Sequence, residues 1–270
     1  MEPKSEITLH DNQWLSRQKY AGEVVSELHR YFFSLFHSKA KISMKHLDTY
    51  AGNFIVSKKC TPTFYKYKGF PGTICISIDN TLVHGFFTKD FNIVDGSVVK
   101  IDIGATFECA IADCAFTYMY GNPKDSRIPN LLISCQNALN KSIEKVVVGN
   151  KTGAIGNVIY EEGKNNGFGV ITAYGGHGLD YDKLHTPPFI SNKAKVTDGI
   201  TIQAGMALAI EPMFVLSDNV NTKVSAQDKW SVYTKDIGAH FEHSVTLDSN
   251  GDLHIIADHK LDAREFFNAN

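Results

Sequence analysis

The chain has no uninterrupted apolar run of the roughly 18 residues that would read as a membrane span. Its opening, MEPKSEITLHDNQW, is polar where a signal peptide would be apolar. Neither membrane insertion nor secretion is expected, and the cytoplasm is the expected compartment. Cysteine is scarce: Cys60, Cys75, Cys109, Cys114 and Cys135 make an odd set with no CxxC pair, which argues against a disulfide framework or a thiolate zinc knuckle and suits reduced thiols. Dense runs of Lys and Arg are missing too. With a formal net charge of -2, nothing resembles a phosphate-binding footprint, and nucleic acid is not an expected partner. Hydrophobic residues make up 43% of the chain and charged residues 21%, so a disordered composition is excluded and a substantial core can form. At 270 residues, a sheet-rich chain can still fold as one unit. We expect one domain over residues 14–257, with tails at 1–13 and 258–270.

Apolar positions between Trp14 and His37 (Ala21, Val24, Val25, Leu28, Phe32, Leu35, Phe36) follow helical spacing. Ser43 is placed to cap a second helix carrying Leu47, Tyr50, Ala51, Phe54 and Ile55. The alternating segment TICISID then opens a run of strands that extends to Tyr120. A third helix is predicted from Ile128 through Val147, ending at Gly149, and a fourth from Thr152 to about Asn165. Strands follow in GFGVITAY, GMALAIEPMF and FEHSVTL. Helix, helix, strands thus occurs twice, although no residue-level repeat accompanies it. The expected class is α+β, with two similar halves that join their sheets and keep helices outside.

The most informative segment is VVKIDIGATFECAIADCAF. Folded as a hairpin with Phe107 and Glu108 at its tip, it sets Asp102 directly opposite Asp113, even though neither tip residue is a preferred turn former. Cross-strand Cβ atoms lie about 4.5–5.5 Å apart, and two carboxylates at that range resist joint ionisation unless cations lie between them. Two metal ions roughly 3.5–4 Å apart would resolve the conflict. Strand aspartates more often face solvent. These two, however, lie among Val98, Val99, Ile101 and Ile103, and among Ala112, Cys114, Ala115 and Phe116, where a bare charge is costly. His177 sits in YGGHGLD, its glycines permitting close backbone approach. Glu211 ends the alternation GMALAIE beside small residues, and Glu242 is an acid within the apolar strand HFEHSVTL, with His243 facing away. Four carboxylates and one imidazole suit hard or borderline divalent ions such as Mn, Fe, Co or Zn. Hydrolysis by metal-activated water is the chemistry such a set favours.

Taken in order, CISIDNTLVHG, VKIDIG, ADCAF, GGHG, HTPPFI, AIEP and FEHSV closely resemble the motifs of type I methionine aminopeptidases, of the pita-bread metallopeptidase fold. The resemblance runs from about Ser16 to His254. It implies a pseudo-twofold antiparallel curved sheet with helices outside, and two divalent metal ions held by Asp102, Asp113, His177, Glu211 and Glu242. It also implies that Glu211 shuttles a proton and that His84 and His185 position the substrate. A methionine pocket lined by Phe64, Tyr67, Phe70, Cys75 and Trp230 follows from the same likeness. The implied substrate is the N-terminal methionine of peptides and nascent proteins, met at the ribosome by a monomer. Two departures stand out: GLDYDKL between His177 and His185 is one residue longer than usual, and Asp79 stands where the family usually has Asn. The chain has no large helical insertion before Glu211, the mark of type II enzymes, and no N-terminal zinc-binding extension. Competing readings are a prolidase or aminopeptidase P-like hydrolase of Xaa-Pro substrates, and a pita-bread protein that binds without catalysis. Only 101 residues precede Asp102, short for the extra domain of the first. All five ligands persist, which disfavours the second.

Overall fold

In the computed structural model of the chain, residues 7–38, 40–87 and 89–268 are described. Residues 1–6 and 269–270 of the two expected tails lie outside them. The first apolar stripe becomes the buried face of α1 (Asn12–His37), whose N-terminus is capped by the Asp11 carboxylate accepting from Trp14 N at 2.8 Å. Ser43 caps α2 (Met44–Ser57) in the same way, accepting from His46 N. Strands β1 (Thr61–Pro62), β2 (Cys75–Ile78), β3 (Thr81–Val83), β4 (Ser97–Phe107) and β5 (Ala110–Tyr120) follow. The second pair of helices is α3 (Ile128–Ile143) and α4 (Gly153–Asn165). Val146 and Val147 lie beyond α3, contrary to expectation, because the chain there tightens into bonds such as Val146 N to Ile143 O and leaves the α-helical path. The remaining strands are β6 (Gly169–Val170), β7 (Gly175–Asp180), β8 (Lys183–Ser191), β9 (Ala207–Ile210), β10 (Met213–Val215), β11 (Lys223–Val224), β12 (Val232–Tyr233), β13 (Gly238–His240), β14 (His243–Leu247) and β15 (Leu253–Ile255).

All strand pairings are antiparallel. One sheet gathers β1, β2 and β5 around β4; another runs β15-β14-β9-β7-β8; two smaller ones are β13-β10-β6 and β11-β12-β3. The class is α+β, as expected. Helices α1 and α2 cover the first sheet while α3 and α4 serve the second half, and one apolar cluster joins both. Among the described residues no helix is long and apolar enough to cross a membrane. Parts of the segments set aside as tails pack on this body: His10 stacks on Trp14, and Ala263 is buried with its N–H donating to Gln136 Oε1.

The register of the β4–β5 hairpin differs from the one expected. Phe107 pairs with Ala110, so the connection is Glu108–Cys109, both with positive φ (44° and 70°), the pattern of a type I′ turn. Asp102 therefore faces Ala115, and Asp113 faces Gly104. Because the shift is two residues, both carboxylates stay on one face. A Cβ on Gly104 would come within 2.6 Å of the Phe64 ring, so glycine opposite Asp113 lets that ring close over the sheet.

Glu211 and Glu242, read as strand residues, sit instead at strand breaks. Pro212 lacks the N–H that would continue β9, and the chain passes into β10 of another sheet. Glu242 leaves the β13–β14 path to exchange both backbone bonds with Ala115 of β5 (Glu242 N to Ala115 O 2.9 Å, Ala115 N to Glu242 O 3.3 Å). Ser244 Oγ reinforces this seam by donating to Asp113 O and accepting from Asp113 N, both at 2.8 Å. A left-handed turn at Cys109 carries a steric cost that glycine lacks. Cys109→Gly is expected to raise stability by about 0.5–1 kcal/mol in urea unfolding; a loss of stability would contradict this turn geometry.

Candidate metal centre

At the seam, Asp102 from β4 and Asp113 from β5 meet His177 from β7, together with Glu211 and Glu242 from the two breaks. Asp113, His177 and Glu242 are buried. Gly176 and Gly178 let β7 run tightly between its neighbours, since a Cβ at either position would meet Ala209 O at 2.3 Å or Pro187 O at 2.2 Å. The His177 ring donates from Nδ1 to Gly178 O at 3.1 Å, which leaves the Nε2 lone pair facing the acids. Nε2 lies 3.6 Å from Glu211 Oε1 and 3.9 Å from Asp113 Oδ2. Such distances exceed hydrogen bonds, yet a cation with bonds of about 2.0–2.2 Å can span them.

Burial raises the pKa of all four carboxyls, with Asp113 adding its charge at Asp102, Glu211 and Glu242. Burial also lowers His177 to about 4, so its ring is neutral. Asp102 Oδ1, Asp113 Oδ1 and Glu242 Oε1 are enclosed without a hydrogen-bond partner. Orphaned acceptors of this kind, in a set rich in oxygen, fit divalent cations.

The acids form one wall of a cavity of about 500 Å³. Every proposed ligand, positioning or pocket residue lines it: Phe64, Tyr67, Phe70, Cys75, His84, Asp102, Asp113, His177, His185, Glu211, Trp230 and Glu242. Phe64, Phe70 and Cys75 belong to one buried apolar cluster with Tyr67 and Trp230 packed on it, and Phe70 meets the Trp230 ring edge-on at 5.4 Å. Cys75 pairs directly with Asp102 across the sheet. His84 leaves β3 with φ 55°, half-buried and held neutral by loss of solvent. The longer His177–His185 segment is taken up by two register shifts in the β7–β8 hairpin, and His185 lies against His177 at 4.4 Å between ring centroids. Tyr67 Oη is 3.0 Å from its Nδ1. Although it is partly open to solvent, His185 has its pKa lowered by loss of solvation in the cavity mouth and then by His177, His84 and Lys68.

Asp79, the charged departure, lies outside the cavity. It accepts from Val98 N and pairs with Lys124, while its carbonyl accepts from the buried Lys100 ammonium at 2.6 Å. His243 faces away from the acids, against Cys114 and His259. His240 was not singled out from sequence, yet it lines the cavity beside Glu211 and Glu242. Its spacing of two from Glu242 in extended chain was the available signal, since such residues share a side.

Residues 16–249 match the model of metallopeptidase family M24. The chain is 36% identical over 247 residues to a methionine aminopeptidase of Mycoplasma capricolum subsp. capricolum, covering 91% of this chain and 96% of the relative. It is 35% identical over 239 residues to methionine aminopeptidase 1 of Bacillus subtilis, covering 88% and 94%. The crystal structure of methionine aminopeptidase from Rickettsia prowazekii superposes with a TM-score of 0.86 at 28% identity, over 93% of this chain and all of that one (100%).

Carboxyls with raised pKa hold protons that ligation must displace, so cation uptake at neutral pH is expected to release protons and to tighten as pH rises through about 7, where Asp113 loses its proton. His177, neutral down to about 4, adds nothing to that dependence. Calorimetry of Zn(II) binding in buffers of different ionisation enthalpy reads the proton count; an affinity flat across that pH would contradict the protonated cluster.

Proposed function

The chain belongs to metallopeptidase family M24, and from that premise we propose that it is a methionine aminopeptidase of the pita-bread fold, removing the initiator methionine from nascent proteins. The observation that carries this reading is a cavity with buried, unpartnered acids on one wall and an aromatic pocket beside them. Asp102, Asp113, His177, Glu211 and Glu242 hold two divalent cations in this reading, drawn from Mn, Fe, Co or Zn. When bound, the cations supply Lewis acidity toward the scissile carbonyl and lower the pKa of water.

The chain's own side chains do the rest. Glu211, whose carboxyl is pushed up by burial and by Asp113, takes a proton and hands it to the leaving amine. His84 and His185, both neutral, hold the substrate peptide by hydrogen bonds that strengthen as charge develops on it. His185 is kept in orientation by Tyr67. The methionine side chain enters between Phe64, Tyr67, Phe70, Cys75 and Trp230, where each sulfur to aromatic contact contributes about 0.3–1.5 kcal/mol. Burial and then Asp102 keep the Cys75 thiol protonated, so it serves as a soft apolar wall. Nascent chains place the work in the cytoplasm, at the ribosome, by a monomer; the free thiols suit a reducing compartment.

The protein supplied with divalent metal is expected to cleave Met-Ala-Ser and Met-Gly peptides in preference to Xaa-Pro peptides, and the reverse preference would overturn the assignment. Asp102→Asn is expected to lower kcat/KM by on the order of 100-fold or more, since it removes a charge from the cation site. For His84→Ala, kcat should fall roughly 100-fold while KM changes less; steady-state kinetics showing an unchanged kcat would remove His84 from this role.

A further inference from the structure

The five proposed ligands leave His240 unexplained. Its side chain is buried (2% exposed), and Nε2 is enclosed with no hydrogen-bond partner. That nitrogen lies 3.6 Å from Glu211 Oε2 and 3.8 Å from Glu242 Oε2. Glu211 thus stands between two imidazoles, with Oε1 toward His177 at 3.6 Å and Oε2 toward His240 at the same distance. The backbone of His240 is fixed, because Thr117 Oγ1 donates to His240 O at 2.6 Å and accepts from His240 N at 3.0 Å.

Neither ordinary explanation serves for a nitrogen so placed. The contacts are too long for hydrogen bonds, and a buried neutral ring makes no ion pair. Left unpartnered, such a group is unfavourable to bury. Two ligands on one cation with bonds of about 2.0–2.2 Å stand roughly 3–4 Å apart, which is the spacing found here. Another buried group, Cys114, His243 and His259 behind the sheet, differs in that its atoms are engaged: the thiol donates to Glu242 O and His259 Nδ1 accepts from Leu261 N.

Resting on the metallopeptidase reading above, we propose that His240 Nε2 is a direct ligand of a cation shared with Glu211 and Glu242, giving the centre a second imidazole across Glu211 from His177. A second nitrogen donor tilts the set toward Zn, Co or Ni and away from Mn.

X-ray absorption on the Zn(II)-loaded protein counts imidazoles directly. Two imidazoles for each pair of ions are expected in the wild type and one in His240→Gln, which keeps much of the volume. Zn(II) affinity in that variant should fall at least about 10-fold, and Mn(II) affinity by less. One imidazole for each pair of ions in the wild type would overturn the assignment whether or not the variant folds, as would an unchanged count in a folded His240→Gln. If that wild type still cleaves Met-Ala-Ser, only His240 is lost. A wild type that takes up no Zn(II) would overturn the metallopeptidase reading together with this one.

Discussion

Four carboxyl groups enclosed at the meeting of two sheets repel one another and lack the water that would solvate them. Burial and then their mutual charge raise their pKa values, and protons relieve the conflict when nothing else is bound. Divalent cations relieve it more fully, by supplying countercharge and occupying lone pairs that the protein leaves empty on Asp102, Asp113 and Glu242. The energetic strain of the cluster is thus coupled to its proposed use. A site that is costly to hold as bare anions favours cation binding, and the surrounding fold has to be rigid enough to resist collapse.

That rigidity comes from the seam. Glu242 departs from its own strand path to pair with Ala115, while Ser244 and Thr117 tie neighbouring backbone across the same junction. The backbones of Asp113, Glu242 and His240 are held by hydrogen bonds, to the Ser244 hydroxyl, the Ala115 backbone and the Thr117 hydroxyl, that link the two halves of the molecule. Packing alone would tolerate small slippage, whereas this bridge fixes the register between acids from different sheets. The aromatic pocket depends on the same junction, since Phe64 closes over Gly104, the residue facing Asp113.

Much of this was legible in the sequence because acids in apolar strands are conspicuous. The helices and the α+β class could be read from periodicity, and many of the residues lining the cavity from motifs whose order resembles a known family. The hairpin register could not, since Glu108 and Cys109 adopt left-handed backbone without the Asn or Gly that would announce it. An even offset left the face of Asp102 and Asp113 unchanged. Glu211 and Glu242 read as strand residues because alternation does not reveal where a strand hands over to a partner in another sheet. His240 was overlooked because a single histidine near a strand end carries little weight until its neighbours in space are known. The motifs that carry the proposed ligands Asp102, Asp113, His177, Glu211 and Glu242 also follow the order that resembles type I methionine aminopeptidases, and the family match over residues 16–249 agrees with that likeness.

A cavity that joins a charged wall to an apolar one gives the substrate's two ends different environments. The amide to be cut lies toward the acids in the proposed reading, and the side chain toward Phe70 and Trp230. Diffraction from crystals grown with Zn(II), recorded at the zinc absorption edge, bears most directly on whether cations hold these acids together. Two anomalous peaks roughly 3.5–4 Å apart, within bonding distance of Asp102, Asp113 and Glu242, are the expected result. A cavity without anomalous signal, or zinc held elsewhere on the chain, would contradict it.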